Sequence, residues 1–115
     1  MKRFTGIIEE GEHRGTALGF PTANIPLADC TLTGVYAGRA WIGDAIYGAA
    51  VFADTTRGIL EAHLLDFKGS IYGESMTIEV GEKIREHQKF ESDAELQATI
   101  AGDIARIREV LSRGA

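Results

Sequence analysis

Residues 35–52 read Val35-Tyr36-Ala37-Gly38-Arg39-Ala40-Trp41-Ile42-Gly43-Asp44-Ala45-Ile46-Tyr47-Gly48-Ala49-Ala50-Val51-Phe52, and the fold class follows from them. Val35, Ala37 and Trp41 fall on one alternating face, with Arg39 interrupting the set near a rim. Tyr36 and Ile42 fall on the other. A period of two is the signature of a strand. Gly43-Asp44 then supplies a two-residue hairpin turn, and Ala45 to Phe52 returns as the next strand. A connection that short permits only an antiparallel pair.

The same pattern extends outward in both directions. Phe4 to Glu9 reads as a first strand. Ile59 to Phe67 is the most strand-like run, with Ile59, Glu61, His63 and Leu65 facing one way and Leu60, Ala62, Leu64 and Asp66 the other. Lys68-Gly69 turns the chain, and Ile71-Tyr72 and Met76 to Val80 supply the last short strands. Twelve of the fourteen glycines lie at or before Gly81, which suits short strands and turns rather than helices. Past that point the pattern changes. Ser92-Asp93-Ala94-Glu95 reads as a capping box, with Ser92 as N-cap and Glu95 reaching back. Leu96, Ile100, Ile104, Ile107 and Leu111 then form one helical stripe, with Arg106, Arg108 and Glu109 on the polar face. Short antiparallel strands followed by one helix call for a closed or partly closed barrel with the helix across one side, since closure hides the strand edges.

Composition sets the limits. At 115 residues with 44% hydrophobic content, residues 1–115 make one domain with enough apolar mass to fill a core, and disorder is excluded. The formal charge of −5 argues against nucleic acid as a partner. Cys30 is the lone cysteine, so neither an intrachain disulfide nor a cysteine metal cluster can form. No apolar run approaches the roughly 20 residues that span a bilayer, so no membrane partner is expected. Glu9, Glu10 and Glu12 follow Met1-Lys2-Arg3-Phe4 too soon for a signal peptide. The expectation is a cytoplasmic protein, and the small size suits a monomer.

Chemistry concentrates in a few places. Gly11 to Ile25 holds three glycines, His13-Arg14 and no strand or helix period. It is either a loop that turns backbone N–H groups toward phosphate, or an irregular surface connection. No Walker lysine follows. If residues 21–24 are extended, Thr22 and Asn24 share a face and offer a hydroxyl and an amide oxygen to Mg2+; otherwise Asn24 satisfies its own backbone in a turn. Glu61 stands in the most apolar strand. It is either a carboxylate at the barrel mouth, able to take a proton from a hydroxyl, or an outward residue of a two-faced strand. His63 shares its face, but His13, His63 and His87 fit no standard zinc spacing. Ile84-Arg85-Glu86-His87-Gln88-Lys89-Phe90 is either a flap bringing Arg85 or Lys89 to a ligand, or a solvated charge run.

Four blocks in order resemble the riboflavin kinase domain, the module that also forms the C-terminal half of bacterial bifunctional riboflavin kinase/FAD synthetases. They are Leu18-Gly19-Phe20-Pro21-Thr22-Ala23-Asn24-Ile25, Gly34-Val35-Tyr36-Ala37, Leu60 to Gly69 with Ile71-Tyr72-Gly73, and Ile84-Arg85 through Lys89-Phe90. The resemblance runs from about Phe4 to Leu111. It implies a mainly β fold, a six-stranded antiparallel Greek-key-like barrel with one C-terminal amphipathic α-helix. It also implies transfer of the γ-phosphoryl of ATP to the 5'-hydroxyl of riboflavin, giving FMN and ADP, with Mg2+ required.

Carried over by residue, the resemblance makes Glu61 the catalytic base and makes Thr22 and Asn24 the holders of Mg2+ and phosphate oxygens. Gly11, His13, Arg14, Gly15, Thr16 and Leu18 become the cover over the nucleotide phosphates, Gly19 and Pro21 join them as binding residues, and Arg85 joins the flap on the flavin side. The flavin ring needs an apolar wall, for which the C-terminal helix comes first and Leu64, Leu65 and Phe67 after it. Glu12-His13 stands where the family has a further Gly, Ala50 to Gly58 is shorter than its family counterpart, and His87 replaces a usual Glu. The alternative is a non-catalytic flavin- or nucleotide-binding module, and a regulatory domain with an empty site comes third. The length leaves room for the kinase half alone, so FAD synthesis is not expected.

Overall fold

The computed structural model describes residues 2–9, 22–28, 31–67 and 73–114. Six strands precede one helix: β1 (Lys2–Ile7), β2 (Thr22–Pro26), β3 (Gly34–Ile42), β4 (Ala45–Asp54), β5 (Ile59–Leu64), β6 (Ser75–Arg85) and α1 (Asp93–Gly114). They form one antiparallel sheet in the order β1-β6-β3-β4-β5-β2. The hairpin of residues 35–52 forms as its alternation requires, with Ile42 opposite Ala45 and Gly43 in the left-handed region at φ 59°. The order β6-β3-β4-β5 is a Greek key.

Closure is where the expectation needs correcting. The sheet is an open, curled half-barrel, not a closed barrel. Its end strands β1 and β2 share no ladder among the described residues. They approach closely at Gly6, where a Cβ would touch Ile25 and Pro26, and just past β1 the isolated bridge Glu9–Asn24 forms, where the Glu9 amide donates to the Asn24 carbonyl at 2.7 Å. Other boundaries also move. Residues 22–26 are a full strand at the sheet edge rather than part of a loop. β6 runs past Val80 to Arg85, with register irregularities against β3 at Val35/Tyr36 and Tyr36/Gly38. β5 stops at Leu64, two residues before Asp66 takes φ 61°. Lys68-Gly69, Ile71-Tyr72 and Cys30 lie outside the described residues.

Each sheet face has its own core. Inward residues of every strand, among them Ala23, Ile25, Ala49, Val51, Leu60, Ala62, Met76 and Ile78, fill the curl. Many of these positions are alanine, which lets the strands bend closely around a thin core. The outer face of β3 and β4 is covered by α1. There Val35, Ala37, Leu65 and Ile107 are buried, with Phe52, Ile84, Ile104, Val110 and Leu111 packed around them. Ser92 caps α1 by accepting from the Glu95 amide at 3.1 Å. Arg106, Arg108 and Glu109 face outward as the stripe requires. Arg108 also makes a two-pronged ion pair with Asp66, at 2.8 and 2.9 Å. Among the described residues no helix is long and apolar enough to cross a membrane.

Candidate functional site

The register of β2, β5 and β4 assembles the chemistry-bearing residues. Thr22 lies opposite His63, and Asn24 lies opposite Glu61. Glu61 in turn lies opposite Phe52, and His63 opposite Ala50. Directly opposed residues on antiparallel strands share a face. Thr22, Asn24, Glu61 and His63 therefore form a two-by-two block on the outer face, with Phe52 extending one row toward α1. Inward neighbours Ala23, Ile25, Leu60 and Ala62 are fully buried and anchor the block from behind. Glu61 does not point into a barrel mouth. It stands half-buried on the face opposite the main core, beyond the edge of the helix-covered patch.

Asn24 is the unusual member. It is only 3% exposed, and its Oδ1 is buried with no hydrogen-bond partner among the described residues. Such an atom costs free energy on the order of 1–3 kcal/mol unless something else satisfies it. A side-chain amide oxygen is a suitable ligand for a hard cation, so the donor chemistry fits Mg2+. Thr22, half-buried two residues away on the same face, adds a hydroxyl oxygen. No cluster of three or more His, Cys, Asp or Glu suited to a metal occurs among the described residues. Any cation here would take neutral oxygens from the protein and its remaining ligands from elsewhere, the pattern in which Mg2+ shares its shell with phosphates and water.

On the α1 side, the segment 86–90 runs beside Phe52. The His87 ring stacks on Phe52 with centroids 5.3 Å apart and planes at 21°. Arg85, expected in a flap on the flavin side, is paired with Asp103 of α1 at 2.9 Å. Glu86 is held by Lys83 at 2.6 Å and by the Thr33 hydroxyl at 3.1 Å. These hydrogen bonds keep its carboxyl below the ordinary carboxylate range. Leu64 and Leu65 are packed into the two cores, which leaves neither as a wall for a ligand.

The sequence reading passed over three residues of this region. His63 was set aside as zincless, yet register puts it against Thr22. Phe52 gave no signal beyond strand alternation. Asp103 carried a signal that went unread: it falls between Ile100, Ile104 and Ile107, inside the apolar stripe, where a carboxylate needs a partner. Gly11, His13, Arg14, Gly15, Thr16, Leu18, Gly19 and Pro21 lie outside the described residues.

Comparison with known proteins adds to this geometry. The family model described as Flavokinase, riboflavin kinase, matches residues 2–111. The bifunctional riboflavin kinase/FMN adenylyltransferase of Pseudomonas fluorescens is 35% identical over 98% of this chain, which spans 39% of that relative. Among solved structures, riboflavin kinase from Trypanosoma brucei superposes with a TM-score of 0.68 at 26% identity, covering 96% of this chain and 79% of that one. A macrolide-efflux protein from Streptococcus pneumoniae superposes with a TM-score of 0.78 at 30% identity, covering 92% and 38%. The chain thus spans about two-fifths of the curated bifunctional relative, and matches it along almost its own whole length. With the family model covering all six strands and most of α1, the chain belongs to the riboflavin kinase family.

Proposed function

We propose that the chain is an ATP-dependent riboflavin kinase that transfers the γ-phosphoryl group of ATP to the 5'-hydroxyl of riboflavin. The single observation that carries this reading is the pairing of Asn24 with Glu61 across β2 and β5. It sets a buried amide oxygen, unpartnered among the described residues, beside a carboxylate on one face. Phosphoryl transfer asks for this combination: oxygens that hold a cation-bound phosphate, next to a base that orients the acceptor hydroxyl.

The chain's own groups divide the work. Glu61 accepts the proton of the ribityl hydroxyl as the new P–O bond forms and the bond to the ADP oxygen breaks. Asn24 and Thr22 would hold Mg2+, which when bound neutralises charge on the phosphate oxygens. The inward rows of β2 and β5 keep these groups in fixed register, so positioning needs no rearrangement of the sheet. Residues 11–18 are proposed as the cover over the nucleotide phosphates. Phe52 and α1 border the acceptor side, where water excluded from the site cannot compete with the alcohol.

Incubation with riboflavin, ATP and Mg2+, followed by chromatographic separation of flavins, tests the proposal. FMN and ADP in equal amounts are expected. Flavin binding without turnover would instead favour a binding module that keeps the sheet but lacks the reaction.

A further inference from the structure

The Arg85 side chain is committed on three sides. Its Nε donates to both Asp103 oxygens, at 2.9 and 3.1 Å, and its Nη2 donates to Oδ2 at 2.9 Å. Its Nη1 donates to the Glu86 carbonyl at 3.1 Å. The guanidinium centre lies 5.7 Å from the centroid of the Phe90 ring. A fork bonded in this way fixes angle as well as distance. One side chain therefore ties the middle of α1 to the start and the end of residues 86–90. The Glu86 carboxylate is drawn elsewhere, to Lys83 and Thr33. Between these anchors His87 is presented to Phe52, and Phe52 is the register partner of Glu61.

The ion pair is an uneconomical way merely to dock a helix. Asp103 is buried, within a stripe that otherwise docks through Ile104 and Ile107. Apolar residues of similar size in such a place are often as stabilising as a buried ion pair. What the pair adds is geometry, delivered to the segment that carries His87.

We infer that Arg85 and Asp103 form a positioning pair. It holds residues 86–90 and the Phe52–His87 stack beside Glu61, and so sets how the acceptor alcohol meets the carboxylate, without touching substrate. This rests on the reading of Glu61 as base given above. The test uses Asp103→Asn and Arg85→Lys, the second keeping the charge but losing the fork. Thermal unfolding establishes that each is folded, and Arg85→Lys carries the test if Asp103→Asn is not. The first readout is the NMR signals of the His87 ring, with Phe52→Leu marking where they fall when the stack is gone. The second is the pair of Michaelis constants.

In the folded variants the His87 signals should move to their Phe52→Leu positions. KM for riboflavin should rise about fivefold or more while KM for ATP stays within about twofold. His87 signals that keep their wild-type positions would overturn the inference, as would equal changes in both constants. Absence of turnover in the wild-type protein would count against the kinase reading instead, and the His87 signals would still judge the pair.

Discussion

Ile107→Ala probes the packing that holds α1 over the outer face of the sheet. The Ile107 side chain is 0% exposed and sits among Val35, Ala37 and Leu65. Truncation removes three buried carbons, at roughly 0.8 kcal/mol each, or about 2.4 kcal/mol in transfer free energy. The cavity left behind adds to this and brings the expected loss to about 3–4 kcal/mol. An unfolding entropy of about 2.1 cal/mol/K per residue over 115 residues is about 0.24 kcal/mol/K, so the melting temperature should fall by about 12–17 °C. Urea titration of the variant beside Ile46→Ala gives the comparison, since Ile46 is 59% exposed. Ile46→Ala should stay within about 0.5 kcal/mol of wild type. A loss below about 1 kcal/mol for Ile107→Ala would refute the docking of α1 through this residue.

Three further perturbations address other parts of the molecule. Asn24→Leu removes the buried, unpartnered oxygen, so the metal-free protein should gain about 1 kcal/mol in denaturant titrations while calorimetry shows weakened Mg-ADP binding; lower stability with unchanged binding would contradict the assignment. Gly34→Ala places a methyl group against the Arg85 carbonyl oxygen and 3.0 Å from Glu86 Cα, at φ 89°, and should cost about 3 kcal/mol or more, whereas Gly43→Ala at φ 59° meets nothing and should cost only about 1–2 kcal/mol; equal losses would argue against the close approach of β3 to the root of residues 86–90. Lys83 and Thr33 hold the folded-state Glu86 carboxyl below its ordinary 4.5, so their stabilisation is present above that pH and is lost as pH falls through the lower folded value. Melting temperatures of wild type and Glu86→Gln should therefore differ at neutral pH and converge in acid, and a constant gap would show that the carboxylate is not responsible.

Alternation carried much of the fold into the sequence. Residues 35–52 fold back at Gly43-Asp44 as read, and the two faces of β5 separate as read, with Leu60, Ala62 and Leu64 inward. The stripe of α1 was legible for the same reason, because a period of 3.6 survives in a helix that packs on one side. Edge strand β2 was less legible. Thr22-Ala23-Asn24-Ile25-Pro26 is short and ends in proline, and only pairing with β5 reveals it. The open sheet escaped the reading because closure depends on whether β1 and β2 meet along a ladder, and local pattern does not encode that pairing. The block of Thr22, Asn24, Glu61 and His63 was half legible. Alternation put Thr22 with Asn24 and Glu61 with His63, but register between distant segments was needed to set one pair against the other. The Arg85–Asp103 pair was not legible, because the two residues lie 18 apart and on different elements.

The central claim is that Glu61 accepts the proton of the acceptor alcohol beside the oxygens of Asn24 and Thr22. Glu61→Gln preserves shape and removes the base, so the decisive measurement is its kcat for FMN formation, taken with its affinity for riboflavin by fluorescence titration. The account predicts a fall in kcat of about 10²-fold or more with flavin affinity essentially retained. A variant that turns over at the wild-type rate would contradict it.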